Sequence, residues 1–156
     1  MAKSDLEDIL ITIFLRFNNK SIANYRLTKL VYLLDWLSCM KLGSQVTDIK
    51  WKYHSFGPYV DNIAKVVENS IDIFHIENQD LGSSSKKRFK LKSLSCHSNH
   101  KVNEKLSKLL DYVYQKTHDL NSSEFIDLVY STYPVRMSDK YSELDLEKLA
   151  RQFKNN

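Results

Sequence analysis

The sequence predicts a mainly α-helical fold with a small β element: a winged-helix-like core (helix-helix-strand-helix-hairpin) followed by a C-terminal helical half. Three observations carry this. Only three glycines and two prolines occur in 156 residues, few for a loop-rich or many-stranded chain. Apolar residues recur at helical spacing through most of the chain. Three short segments alternate instead, as strands do. At this length one domain with a proper hydrophobic core is expected over residues 1–156. Residues 1–95 would form the core with its hairpin and residues 101–156 the remaining helices.

Ser4 and Glu7 have capping-box spacing at the first helix. Leu6, Ile9, Leu10, Ile13, Phe14 and Phe17 continue it with helical period to about Phe17. The second helix covers Tyr25 to Leu42, with Leu27, Leu30, Val31, Leu34 and Leu37 on one face, and Gly43 is its stop signal. Tyr32, Leu33, Trp36 and Met40 widen that face, so the helix is apolar nearly all round and belongs at the centre of the fold. Thr47 to Tyr53 reads as a strand with Ile49, Trp51 and Tyr53 on one side and Lys50 and Lys52 on the other. Gly57-Pro58 is the structural turn that breaks it, with the proline suited to the first turn of a third helix ending near Asn69. Residues 71–77 and 87–94 form a hairpin across a Gly- and Ser-bearing loop. Three helices complete the chain: Val102–Thr117, Asn121 to about Thr132 with Asn121 and Glu124 as cap and partner, and Ser142–Phe153; Tyr133-Pro134 ends the middle one.

Charge is distributed unevenly. Residues 82–101 carry six basic side chains and no acid, whereas residues 1–81 and 102–156 each hold one more acid than base. The net charge of +4 therefore resides in one short segment. Lys86, Lys87, Arg88, Lys90 and Lys92 of this basic hairpin are the candidate nucleic-acid contacts, through phosphate and with little base specificity. The competing structural role is that of lysines guarding a strand edge. The expected third helix offers no arginine for base readout.

Chemistry of the chain's own finds little support. His54-Ser55 lacks an orienting acid, and neighbouring strand residues point to opposite faces. No phosphate-binding glycine motif exists. Cys96, His97 and His100 offer three ligands in a polar loop, short of the four that zinc takes, so no metal and no cofactor is expected. Two cysteines make no disulfide framework. With no membrane span or signal peptide visible, the chain reads as cytoplasmic. The stretch from Trp51 to Val60 is instead a structural or recognition corner. Trp51, Tyr53, His54, Phe56 and Tyr59, with Tyr130 and Tyr133 from the tyrosine-rich C-terminal half, are the candidate partner-binding residues. A homodimer is open.

Lys29, Leu30, Tyr32, Leu33, Asp35 and Trp36, followed by Gly57, Pro58 and Val60, form a motif pair that resembles the SocA-like, or Panacea, antitoxin domain of bacterial and phage toxin–antitoxin systems. Glu124, Leu128 and Pro134 extend the resemblance. The resemblance implies a non-enzymatic protein that binds and neutralises a protein partner, a toxin. The alternative is a winged-helix transcriptional regulator that holds DNA through residues 86–92.

Overall fold

The computed structural model describes residues 5–81, 84–93 and 103–155. Ser4, Cys96, His97 and His100 lie outside the described residues, as does the side chain of Lys86. The chain is mostly helical with two small antiparallel sheets. In order it runs α1 (Leu6–Arg16), β1 (Ile22–Ala23), α2 (Asn24–Leu42), β2 (Trp51–His54), β3 (Gly57–Tyr59), α3 (Asn62–Glu68), β4 (Phe74–Leu81), β5 (Ser84–Leu91), α4 (Glu104–Thr117), α5 (Ser122–Tyr130), α6 (Tyr133–Met137), β6 (Glu143–Leu144) and α7 (Leu146–Lys154). The sheets have strand orders β1-β5-β4 and β3-β2-β6.

Helix α2 is central, as its all-round apolarity requires. Eleven of its residues from Leu27 to Cys39 are buried. It contacts α3, α4 and α7 as well as β1, β3 and β5. Gly43 closes it at φ 85°, where its amide returns to the Cys39 carbonyl. One hydrophobic cluster extends from Ile9 of α1 to Ala150 of α7. Helix α1 is capped by Asp5, whose side chain accepts from the Glu7 amide. The anticipated box at α5 is complete, with Asn121 accepting from Glu124 N and Glu124 accepting from Asn121 N.

Several expectations are corrected. Gly57 and Pro58 do not open a helix: they form β3, which pairs with β2 in the register Tyr53↔Pro58 and His54↔Gly57. The turn is Ser55-Phe56, and α3 begins only at Asn62. Gly57 sits at φ 103°, where a side chain would be strained. Pro58 lacks a ladder donor, and β3 is an edge strand where that is tolerated. The helix-opening proline is Pro134, in the first turn of α6, a helix the sequence did not suggest. Residues 143–144, expected within the last helix, instead form β6 and pair with Trp51 and Lys52. The hairpin is longer than expected, continuing in register to Leu81↔Ser84. Its basic strand β5 is the middle strand of its sheet, so its lysines guard no full edge.

Candidate functional site

The corner is built from α2 outward. Asp35 is fully buried in that helix. Its carboxylate accepts from Val46 N at 2.8 Å, Thr47 N at 2.9 Å, Thr47 Oγ1 at 2.5 Å and the indole Nε1 of Trp51 at 2.8 Å. Gln45 Nε2 adds a longer contact at 3.3 Å. One side chain thus ties the 45–47 loop and the start of β2 to the helix. Burial pushes the Asp35 carboxyl above its ordinary range, against the opposing pull of the Thr47, Trp51 and Val46 hydrogen bonds. Tyr32, one turn away, meets Trp51 edge-on at 5.6 Å and exchanges a 2.8 Å hydrogen bond with Thr132 of the α5–α6 connection. Burial raises its hydroxyl pKa strongly.

Trp51 is therefore core. At 1% exposure it offers a partner no surface, which corrects its place among the contact residues. The next residues emerge from the protein. Tyr53 is half-buried against Tyr130, their rings 6.4 Å apart. The His54 ring meets Tyr59 edge-on at 5.9 Å, and Asn24 Nδ2 reaches the Tyr59 hydroxyl at 3.4 Å. Phe56, at the tip of the β2–β3 turn, is 80% exposed. Tyr133 belongs elsewhere, stacked on Trp36 at 6.4 Å and edge-on to Phe153 at 5.1 Å. The structure thus gathers Tyr53, His54, Phe56, Tyr59 and Tyr130 at one corner, and separates Trp51 and Tyr133 from them.

Between β2–β3 and α2 lies a cavity of about 730 Å³. His54, Phe56 and Tyr59 line it, with Tyr25, Lys50 and Lys52 around them. Lys29 of α2, only 2% exposed, lines it too. Its ammonium donates to the Pro58 carbonyl at 3.4 Å, and burial lowers its pKa to about 8. Asp61, an acid on the lining, pairs with Lys65 at 3.1 Å. Lys29 and Asp35 entered the sequence analysis only through the family motif. Each is a charge on the buried length of α2 between Leu27 and Cys39, and that anomaly was the signal for both.

At His54-Ser55 the Ser55 hydroxyl meets the Tyr141 hydroxyl at 3.1 Å and the His54 ring packs on Tyr59. Among the described residues no group of three or more His, Cys, Asp and Glu side chains could hold a metal. On the basic hairpin, Phe89 and Leu91 are buried and Lys92 is exposed. Lys87 pairs with Glu68 of α3 at 2.8 Å. Arg88 donates to the hydroxyl and the carbonyl of Ser21, at 2.9 and 2.7 Å, and lies across from Glu77. Lys90 is half-buried opposite His75. No helix of the described residues is long and apolar enough to cross a membrane.

A family model for the antitoxin SocA-like, Panacea domain matches residues 27–134, more than two thirds of the chain. The match starts in α2, two residues before Lys29, and ends on Pro134 of α6. It therefore includes the Asp35 network, the corner and the basic hairpin. No curated protein and no solved structure matches the chain. The chain belongs to the antitoxin SocA-like, Panacea domain family.

Proposed function

We propose that this chain is a non-enzymatic, cytoplasmic antitoxin that binds and neutralises a protein toxin through the corner formed by β2, β3 and the facing end of α5. The observation that carries the placement is Phe56, 80% exposed on a two-residue turn. An aromatic side chain presented on a hairpin loses little further entropy on binding and fits the anchor role that aromatic residues play at interfaces. Tyr53, His54, Tyr59 and Tyr130 surround it with half-buried and exposed polar tips. The Asp35 bonds hold the platform to the core, so binding meets a preformed surface. Co-expression with a neighbouring reading frame whose product by itself arrests growth tests this: the wild-type chain restores growth and the Phe56→Ala chain does not. Failure of the wild-type chain to restore growth refutes the antitoxin role.

A second role, contact with DNA phosphates, is favoured by the charge excess of residues 82–101. The order α1-β1-α2-β2-β3-α3 followed by the β4–β5 hairpin keeps three helices ahead of a hairpin, as a winged-helix arrangement for it requires. Lys90 and Lys92 would carry the contact, since Lys87 and Arg88 already hold Glu68 and Ser21.

A further inference from the structure

We propose that the cavity beside the corner binds a carboxylate of the protein partner, with the Lys29 ammonium as its counter-charge. This deepens the antitoxin role and rests on it. The starting point is an imbalance. An ammonium has three donor protons, and the structure gives Lys29 a 3.4 Å bond to the Pro58 carbonyl. Asp35, the other charge buried in α2, is surrounded by four donors within 2.9 Å. One buried charge is satisfied by the fold; the other is left facing a cavity.

The walls set the ligand class. Lys50, Lys52 and His54 stand around the opening. Asp61, the acid on the lining, is engaged by Lys65. Glu143 stands across from Lys52 in the sheet, so the excess positive charge at the mouth is that of Lys50, with the Lys29 ammonium behind it, and it draws an anion inward. Phe56, Tyr59 and Val60 give apolar contact to the stem of an entering side chain. No arginine lines the cavity, so an anion there meets ammonium point charges and not a fork, and on a protein partner that anion is an Asp or Glu carboxylate. Gly57 faces the stem of Lys29, since an added Cβ there would lie 3.5 Å from its Cε and 3.9 Å from the Tyr130 ring.

The test uses the full chain with lysines labelled in their side chains, the Lys29 resonance being assigned by its loss in Lys29→Met. The probes are acetyl-Phe-Asp-Phe-Glu-amide and its uncharged counterpart acetyl-Phe-Asn-Phe-Gln-amide. The acidic peptide is expected to shift the Lys29 signal and raise its titration midpoint, and the uncharged one to do neither. Lys29→Met keeps the fold by circular dichroism and weakens the acidic peptide roughly thirtyfold or more. Equal effects of both peptides, undiminished binding to Lys29→Met, or an unmoved Lys29 signal each overturn the proposal. Growth rescue separates the two levels. If both the wild-type and Lys29→Met chains rescue, the carboxylate site falls and the antitoxin role stands. If the wild-type chain fails to rescue, both fall.

Discussion

Replacing Asp35 tests how the corner is held. Four donors lie within 2.9 Å of its carboxylate, and two of them are the backbone amides of Val46 and Thr47. In Asp35→Ala these amides and the Trp51 indole lose their acceptor while buried. An orphaned buried donor costs about 1–3 kcal/mol. The costs do not add, because the 45–47 loop can relax and admit water, and breaking a buried charged network totals about 3–5 kcal/mol. At 2–4 °C per kcal/mol for a chain of this size, a loss near 4 kcal/mol lowers Tm by roughly 8–16 °C. Asp35→Asn is milder. Its oxygen can keep both amides and the Thr47 hydroxyl can rotate to accept from the new NH₂, so the Trp51 N–H is the donor left unmatched, at about 1–3 kcal/mol.

The pH dependence supplies an independent check on the same residue. Burial holds the folded carboxyl above its ordinary 3.8, so the folded chain binds this proton more tightly than the unfolded chain. The resulting stability is fully present below that ordinary value and is lost as pH rises through the folded one. The advantage of wild type over Asp35→Asn therefore shrinks as pH rises from about 4 toward neutrality. Thermal unfolding by circular dichroism, with Trp51 fluorescence alongside, reads both effects. An advantage that grows with pH would show that the hydrogen bonds outweigh the desolvation. An alanine variant that loses less than about 1 kcal/mol would refute the anchoring role.

Four further outcomes are expected. Lys29→Met is more stable than wild type at pH 7 by about 1–3 kcal/mol; burial lowers the ammonium pKa from 10.5 to about 8, so the charged form costs stability that returns as pH rises, and the advantage vanishes near pH 10.5 in denaturant titrations. Phe56→Ala leaves Tm within about 2 °C of wild type but weakens a toxin complex by about 2 kcal/mol in calorimetry; a large fall in Tm would place the ring in the core. Gly57→Ala loses about 1–3 kcal/mol in urea unfolding through its φ of 103° alone, since the nearest atom to an added Cβ is at an ordinary 3.5 Å. In fluorescence titrations with duplex DNA, binding that falls steeply with salt and disappears in Lys90→Glu/Lys92→Glu assigns those lysines to phosphate, and no binding at low salt removes DNA as a ligand.

The helices were legible where period and caps agreed. Helix α2 shows its burial in its composition and its end in Gly43, and α5 announces itself through Asn121 and Glu124. The β elements around the corner were hidden for physical reasons. Strands β1 and β6 are two residues long, too short for a period of two to register. Pro58 and Pro134 follow the same rule with opposite results: a proline can open a helix or sit on a sheet edge, and only the pairing of β3 with β2 decides between them. The aromatic corner was legible as a cluster but not in its orientation. Alternation put Ile49, Trp51 and Tyr53 on one side but did not say which side is inward, and the exposure of Phe56 depends on the turn falling at Ser55-Phe56 instead of at Gly57-Pro58.

The two buried charges in α2 separate what holds the corner from what the corner is for. They are six residues apart, which at 3.6 residues per turn puts them on different sides of the helix. Asp35 faces the 45–47 loop and Lys29 faces β3. A buried charge that the fold fully satisfies exists for structure, and losing it weakens the protein. A buried charge that the fold leaves partly unsatisfied costs stability, and its retention calls for a ligand. Stability and binding should therefore move in opposite directions at Lys29 and in the same direction at Asp35. A chain in which Lys29→Met lowered Tm as Asp35→Ala does would have two structural charges and no site.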